Sequence, residues 1–174
     1  MNSFKLNTIL RAPDGASAAG EADPFAMPAS EVDTRFPRLQ PDRVYRMSIA
    51  SASKDKVKDS EREMIVLKLV TTKDEMDTDG KPVHPGFPIY HRIGITVTKE
   101  DKALEIKERS AKDISRDVAL VLKAIGKGTT TTREAIDNTE AVFKDQIVDV
   151  KVGLQKAKDG FPESNKISSF VIPS

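Results

Sequence analysis

A chain of 174 residues is long enough for one domain with a proper core and cramped for two. Its hydrophobic share of 38% and charged share of 32% predict that part of the sequence stays outside that core. The lack of cysteine excludes disulfides, thiolate metal sites and cysteine nucleophiles; a net charge of +1 excludes a histone-like polycation, but not a local basic stripe.

Residues 1–38 read as an irregular N-terminal arm. Ala, Gly, Ser and Pro dominate from Ala12 to Ser30, and Pro13, Pro24, Pro28 and Pro37 prevent any long helix. Phe4, Leu6, Ile9, Leu10, Phe25 and Met27 are apolar without a period, which fits either an arm that docks on its own domain or a partner, or a disordered leader. Met1 to Leu10 lacks the continuous apolar stretch of a secretory signal, and no apolar run approaches the roughly 20 residues of a membrane span. A cytoplasmic location, with no membrane partner, is the resulting expectation.

Residues 39–174 carry the regular patterns. Tyr45, Met47 and Ile49 alternate with Arg46 and Ser48, the signature of a half-buried strand. A charged loop from Ser53 to Arg62 follows. Met64 to Val70 reads as a second strand, with Ile65, Leu67 and Leu69 on one face and Val66 and Lys68 on the other. Thr71 to Pro88, rich in Asp, Gly and Pro, reads as a long connection. A third strand is predicted from Ile89 to Thr98, with Ile89, His91, Ile93, Ile95 and Val97 inward and Tyr90, Arg92 and Thr96 outward.

The period then changes. Ile114, Val118, Val121, Leu122 and Ile125 form the stripe of an amphipathic helix that Gly126 is placed to end. Thr129 to Glu140 is polar, with a short helical segment around Arg133 to Asp137. Gln146 to Leu154 restores β character through Val148, Val150, Val152 and Leu154. After a turn containing Asp159, Gly160 and Pro162, a last strand is predicted over Lys166 to Ile172.

Three strands, one helix and two strands is the element order of the OB-fold. The expected class is therefore mainly β (α+β): a five-stranded OB-like barrel with one helix between its third and fourth strands. The stretch Val44 to Ile49, the helix end Leu122, Lys123, Ala124, Ile125, Gly126, and the turn from Phe161 through Asn165 to Ile167, followed by Phe170, resemble phage-encoded OB-fold single-stranded-DNA-binding proteins. The resemblance covers most of residues 39–173 as spacing of apolar and turn residues. It implies single-stranded-DNA binding in phage replication or recombination, in the host cytoplasm, and brings no fixed set of contact residues. Two features depart from the family: the long arm, and a C-terminal stretch, Ser168 to Ser174, without acidic residues.

Sequence-tolerant binding of single strands needs cations near phosphates and flat side chains on which bases stack. Tyr90 and Arg92 share the outward parity of the third strand, and Lys68 and Arg46 have that parity on the second and first. Lys54, Lys56, Lys58 and Arg62 occupy the loop that would reach over the groove, interleaved with Asp55, Asp59 and Glu61. Phe87 stands at the mouth of the third strand between Pro85 and Pro88. The positive excess is local: Arg38 to Val70 holds eight Lys or Arg against five Asp or Glu.

No catalytic constellation or cofactor is expected. His91, on the inward parity, is expected as a hydrogen-bonded core histidine. Asp74, Asp77, Asp79 and Gly80 fail the calcium-loop pattern, with Gly86 where the bidentate acid belongs. Gly126, Lys127, Gly128 and Thr129 fail the Walker spacing. The alternative reading is a virion structural or protein-interaction module, or a homo-oligomer, that clasps its partner with residues 1–38.

Overall fold

The computed structural model describes residues 36–58, 60–101, 106–157 and 162–173. Contacts divide the chain into Met1–Arg35 and Phe36–Ser174, and the architecture below is that of the second unit. The predicted arm therefore lies outside the described residues except at 36–38.

Among the described residues seven strands and three helices follow in order: β1 (Val44–Lys56), β2 (Glu63–Thr71), β3 (Glu75–Met76), β4 (Pro82–Val83), β5 (Pro88–Gly94), α1 (Ala111–Ala124), α2 (Thr132–Asp137), α3 (Thr139–Phe143), β6 (Ile147–Gln155) and β7 (Ser164–Phe170). The five longer strands form one antiparallel sheet in the order β5-β2-β1-β6-β7. β3 and β4 make a separate two-stranded ribbon. No helix among the described residues is long and apolar enough to cross a membrane.

β1 organises the sheet. Its first part, Val44 to Ser48, pairs with β6, and Met47 to Lys56 pairs with β2, with a register shift between Ile49 and Ser51. A bulge at this point bends the strand and increases its twist, which lets one strand serve two neighbours that diverge. Alternation then buries Tyr45, Met47 and Ile49 on β1, Ile65, Leu67 and Leu69 on β2, and Val148, Val150 and Val152 on β6. Tyr45 keeps its hydroxyl satisfied by donating to the Gln40 carbonyl at 3.0 Å.

The predicted helix is α1, with Ile114, Val118, Val121 and Leu122 buried. Ser110 caps it: its hydroxyl accepts from the Asp113 amide while the Asp113 carboxylate accepts from the Ser110 amide, a capping box. Those Ser110 bonds hold the Asp113 carboxyl below its usual pKa. Gly126 adopts φ 73°, and the Lys127 amide reaches back to the Leu122 carbonyl at 2.8 Å, so the helix ends where the glycine allows a left-handed turn.

Four expectations need correction. Among the described residues the helical region holds three helices: α1, then α2 at the short helical segment expected around Arg133 to Asp137, then α3, which the expected one-helix barrel lacks. The long connection contains the β3–β4 ribbon, tightened because Asp77 Oδ1 accepts from the Asp79 and Lys81 amides at 2.8 Å each. The third strand stops at Gly94, leaving Val97 60% exposed instead of inward. Finally, the sheet is not a closed barrel. β5 and β7 are its two ends, and no ladder among the described residues joins them. Side chains occupy the seam instead: the His91 and Phe170 rings meet edge-on at 5.0 Å, and Arg109 Nε donates to the Gly94 carbonyl at 2.8 Å.

Candidate functional site

Strand register decides which predicted side chains meet, because residues directly opposite on antiparallel strands share a face. Leu67, which is buried, pairs with Ala52 and His91 and defines the inner face. The neighbouring rows lie on the outer face. Ser51, Lys68 and Tyr90 form one row across β1, β2 and β5, and Ser53, Val66 and Arg92 form the next. Paired strands lie about 4.8 Å apart and alternate residues on a strand about 6.6 Å apart, so Tyr90, Lys68 and Arg92 form one compact group.

Tyr90 is 49% exposed, so a large part of its ring is open to solvent. Among the described residues neither Lys68 nor Arg92 has a carboxylate partner. The acid on this patch is Asp55, at the far end of the next row, where it accepts a hydrogen bond from the Ser53 hydroxyl at 3.1 Å. A flat ring flanked by two uncommitted cations can stack an aromatic base and neutralise the phosphates on either side of it.

The other predicted residues are placed differently. Arg46 pairs with Asp149 on β6, donating from Nε at 3.0 Å and from its terminal nitrogen at 3.1 Å. The hydrogen bond from Arg46 holds the Asp149 carboxyl below its ordinary pKa and raises that of Arg46 itself. The Arg46 charge is thus already engaged. Lys54 and Lys56 belong to β1, not to a loop; Lys54 stands opposite inward-facing Ile65, so both carry the parity of the inner face, away from Tyr90. Lys58 lies exposed in the β1–β2 connection. Phe87 packs against the core, which removes it as a stacking surface. Ser51 and Ser53 were absent from the predicted set, because their place under Lys68 and Val66 depends on the bulge after Ile49.

His91 is half-buried in the seam, and its ring packs on Phe170 without a hydrogen-bond partner among the described residues. The expected hydrogen-bonded core histidine is corrected accordingly: the aromatic edge contact replaces a polar one. Burial pushes the imidazole pKa below its ordinary value, against an opposing pull from Asp117. Asp117 is itself bound by Arg109 at 2.8 Å, and both line the same groove as His91, together with Arg92. A lowered folded-state value means that the unfolded chain takes up a proton first. His91 therefore contributes stability that is complete above its unfolded pKa of about 6.5 and is lost as pH falls through the folded value. Melting curves between about pH 7.5 and 5 should show a decline over that interval that His91→Phe flattens; equal declines in both proteins would place the titrating group elsewhere.

Comparison with known protein families finds no family model that matches the chain, and comparison with curated proteins finds no match.

Proposed function

We propose that this chain binds single-stranded DNA, without sequence preference and without turnover, across the outer face of β1, β2 and β5. The observation that carries the reading is Tyr90: a solvent-open ring with Lys68 directly opposite and Arg92 two residues along, neither cation committed to an acid among the described residues. Each stacked base contributes roughly 1–3 kcal/mol, so even one platform beside two phosphate contacts supports useful affinity.

The scaffold reading is an OB-type sheet with its seam left open. Supporting it are the strand order β5-β2-β1-β6-β7, the bent first strand shared by two partners, and the helical region between β5 and β6. The resemblance to phage single-stranded-DNA-binding proteins supplies the setting, a stoichiometric coat on strands exposed in replication or recombination.

The direct test is anisotropy of a labelled oligo-dT strand titrated with the full chain at several salt concentrations. Binding should weaken as salt rises, with a slope of log K on log salt of at least about −1.4 in magnitude, two phosphate contacts at about 0.7 each. Failure of oligo-dT to bind at about 50 mM salt would remove the proposal.

A further inference from the structure

Most described arginines of the folded unit are already paired with an acid. Among the described residues Arg38, Arg43, Arg46, Arg109 and Arg116 each face a carboxylate within 3.6 Å. Arg62, Arg92 and Arg133 do not. Two of these three, Arg62 and Arg92, line a single groove of about 370 Å³, and Lys107 lines it with them. Lys107 too has no carboxylate partner among the described residues. Three cations without a carboxylate partner among the described residues thus meet in one concavity from three separate segments.

The groove lies where the β1–β2 connection, the end of β5 and the segment after it come together. Each wall is held by backbone bonds. Val57 donates to the Arg62 carbonyl at 2.8 Å, which closes the connection, and Ile95 donates to the Glu63 carbonyl at 2.9 Å. Thr98 and Arg109 exchange both of their backbone hydrogen bonds, and the Thr98 hydroxyl donates to the Lys107 carbonyl at 2.8 Å. The Arg62 side chain is steadied by its Nε, which donates to the Ser60 hydroxyl at 3.0 Å and leaves its outer nitrogens for a ligand. Two acids, Glu63 and Glu108, also line the groove, so three uncommitted cations meet two carboxylates there.

We infer that Arg62, Arg92 and Lys107 form a phosphate-binding notch, through which the sugar–phosphate backbone of a strand leaves the sheet after its base has stacked on Tyr90. The inference rests on the proposed function for the identity of the strand, and on the groove for the phosphate chemistry. Arg92 joins the two, because it stands on the Tyr90 face and also lines the notch. With Lys68, the path then offers four cationic contacts, not two. The expected salt slope rises to about −2.8.

The test pairs Arg62→Ala/Lys107→Ala with the parent protein and uses two probes, oligo-dT and inorganic tripolyphosphate. The variant should bind oligo-dT roughly 50-fold more weakly at about 50 mM salt, with its slope reduced to about −1.4. In the parent, tripolyphosphate should move the backbone amide signals of Arg62, Arg92 and Lys107, and in the variant it should not. If oligo-dT binds parent and variant with the same slope, the notch is wrong while strand binding stands. If tripolyphosphate marks the notch but oligo-dT does not bind, the anion site stands and the single-strand reading falls. Silence from both probes overturns both.

Discussion

Replacing Tyr90 and Arg92 together by alanine is expected to weaken oligo-dT binding by more than tenfold without unfolding the domain. Both side chains point outward from β5, so truncating them removes little buried contact, and surface changes of this kind cost within about 0.5 kcal/mol of stability. The loss in binding has two separable parts. Tyr90→Ala alone removes a stacking contact of roughly 1–3 kcal/mol, about 5- to 150-fold in affinity, and leaves the salt slope unchanged, because a base on a ring releases no counterions. Arg92→Ala alone should lower the slope by about 0.7. Tyr90→Phe keeps the flat ring and should bind as the parent does. A double variant that binds like the parent, with its melting temperature intact, would show that the outer face of β5 is not the interface.

How much of this was readable from the chain depended on whether a residue's neighbour is decided locally. The alternations at Tyr45, Met47, Ile49 and at Ile65, Leu67, Leu69 were legible because one face of each strand is buried. The α1 stripe was legible for the same reason, with Gly126 marking its end. The outward parity of Tyr90, Arg92 and Lys68 followed from alternation alone. Their arrangement in rows did not, because register is set by pairings 22 to 26 positions apart, such as Lys68 with Tyr90 and Val66 with Arg92.

Charge misled where it overrode strand propensity. Ser53 to Lys56 looked like loop because Lys54, Asp55 and Lys56 are charged, yet β1 continues through them, paired with Glu63 to Val66 of β2. Arg46 looked available because its partner, Asp149, lies 103 residues away on β6. Ile95 and Val97 continued the alternation of β5 past the point where the ladder ends, and a period says nothing about where pairing stops. The open seam was equally invisible: whether β5 meets β7 through backbone or through the His91 and Phe170 rings depends on the curvature of the whole sheet.

Phe143→Ala should be among the most damaging single changes in the folded unit, costing about 3–5 kcal/mol of stability. Phe143 is fully buried at the end of α3, a helix of five residues too short to display any period of its own. Just beyond it the chain reverses through Asp145 at φ 61°, whose amide donates to the Ile49 carbonyl at 2.8 Å, while the Ile49 amide donates to the Gln146 carbonyl at 2.9 Å. Ile49 is where β1 passes from β6 to β2. The ring therefore fills the core beside the point where the sheet bends, and its removal leaves a cavity under that bend. Against a total of about 5–15 kcal/mol for a domain of this size, such a loss moves the denaturation midpoint far enough for a urea titration to resolve easily. Phe36→Ala is the matched control: that ring is 75% exposed and its loss should stay within about 0.5 kcal/mol. If the two variants unfold at the same urea concentration, α3 does not pack under the bend, and the register that places Ser51 and Ser53 beside Lys68 and Val66 loses its support.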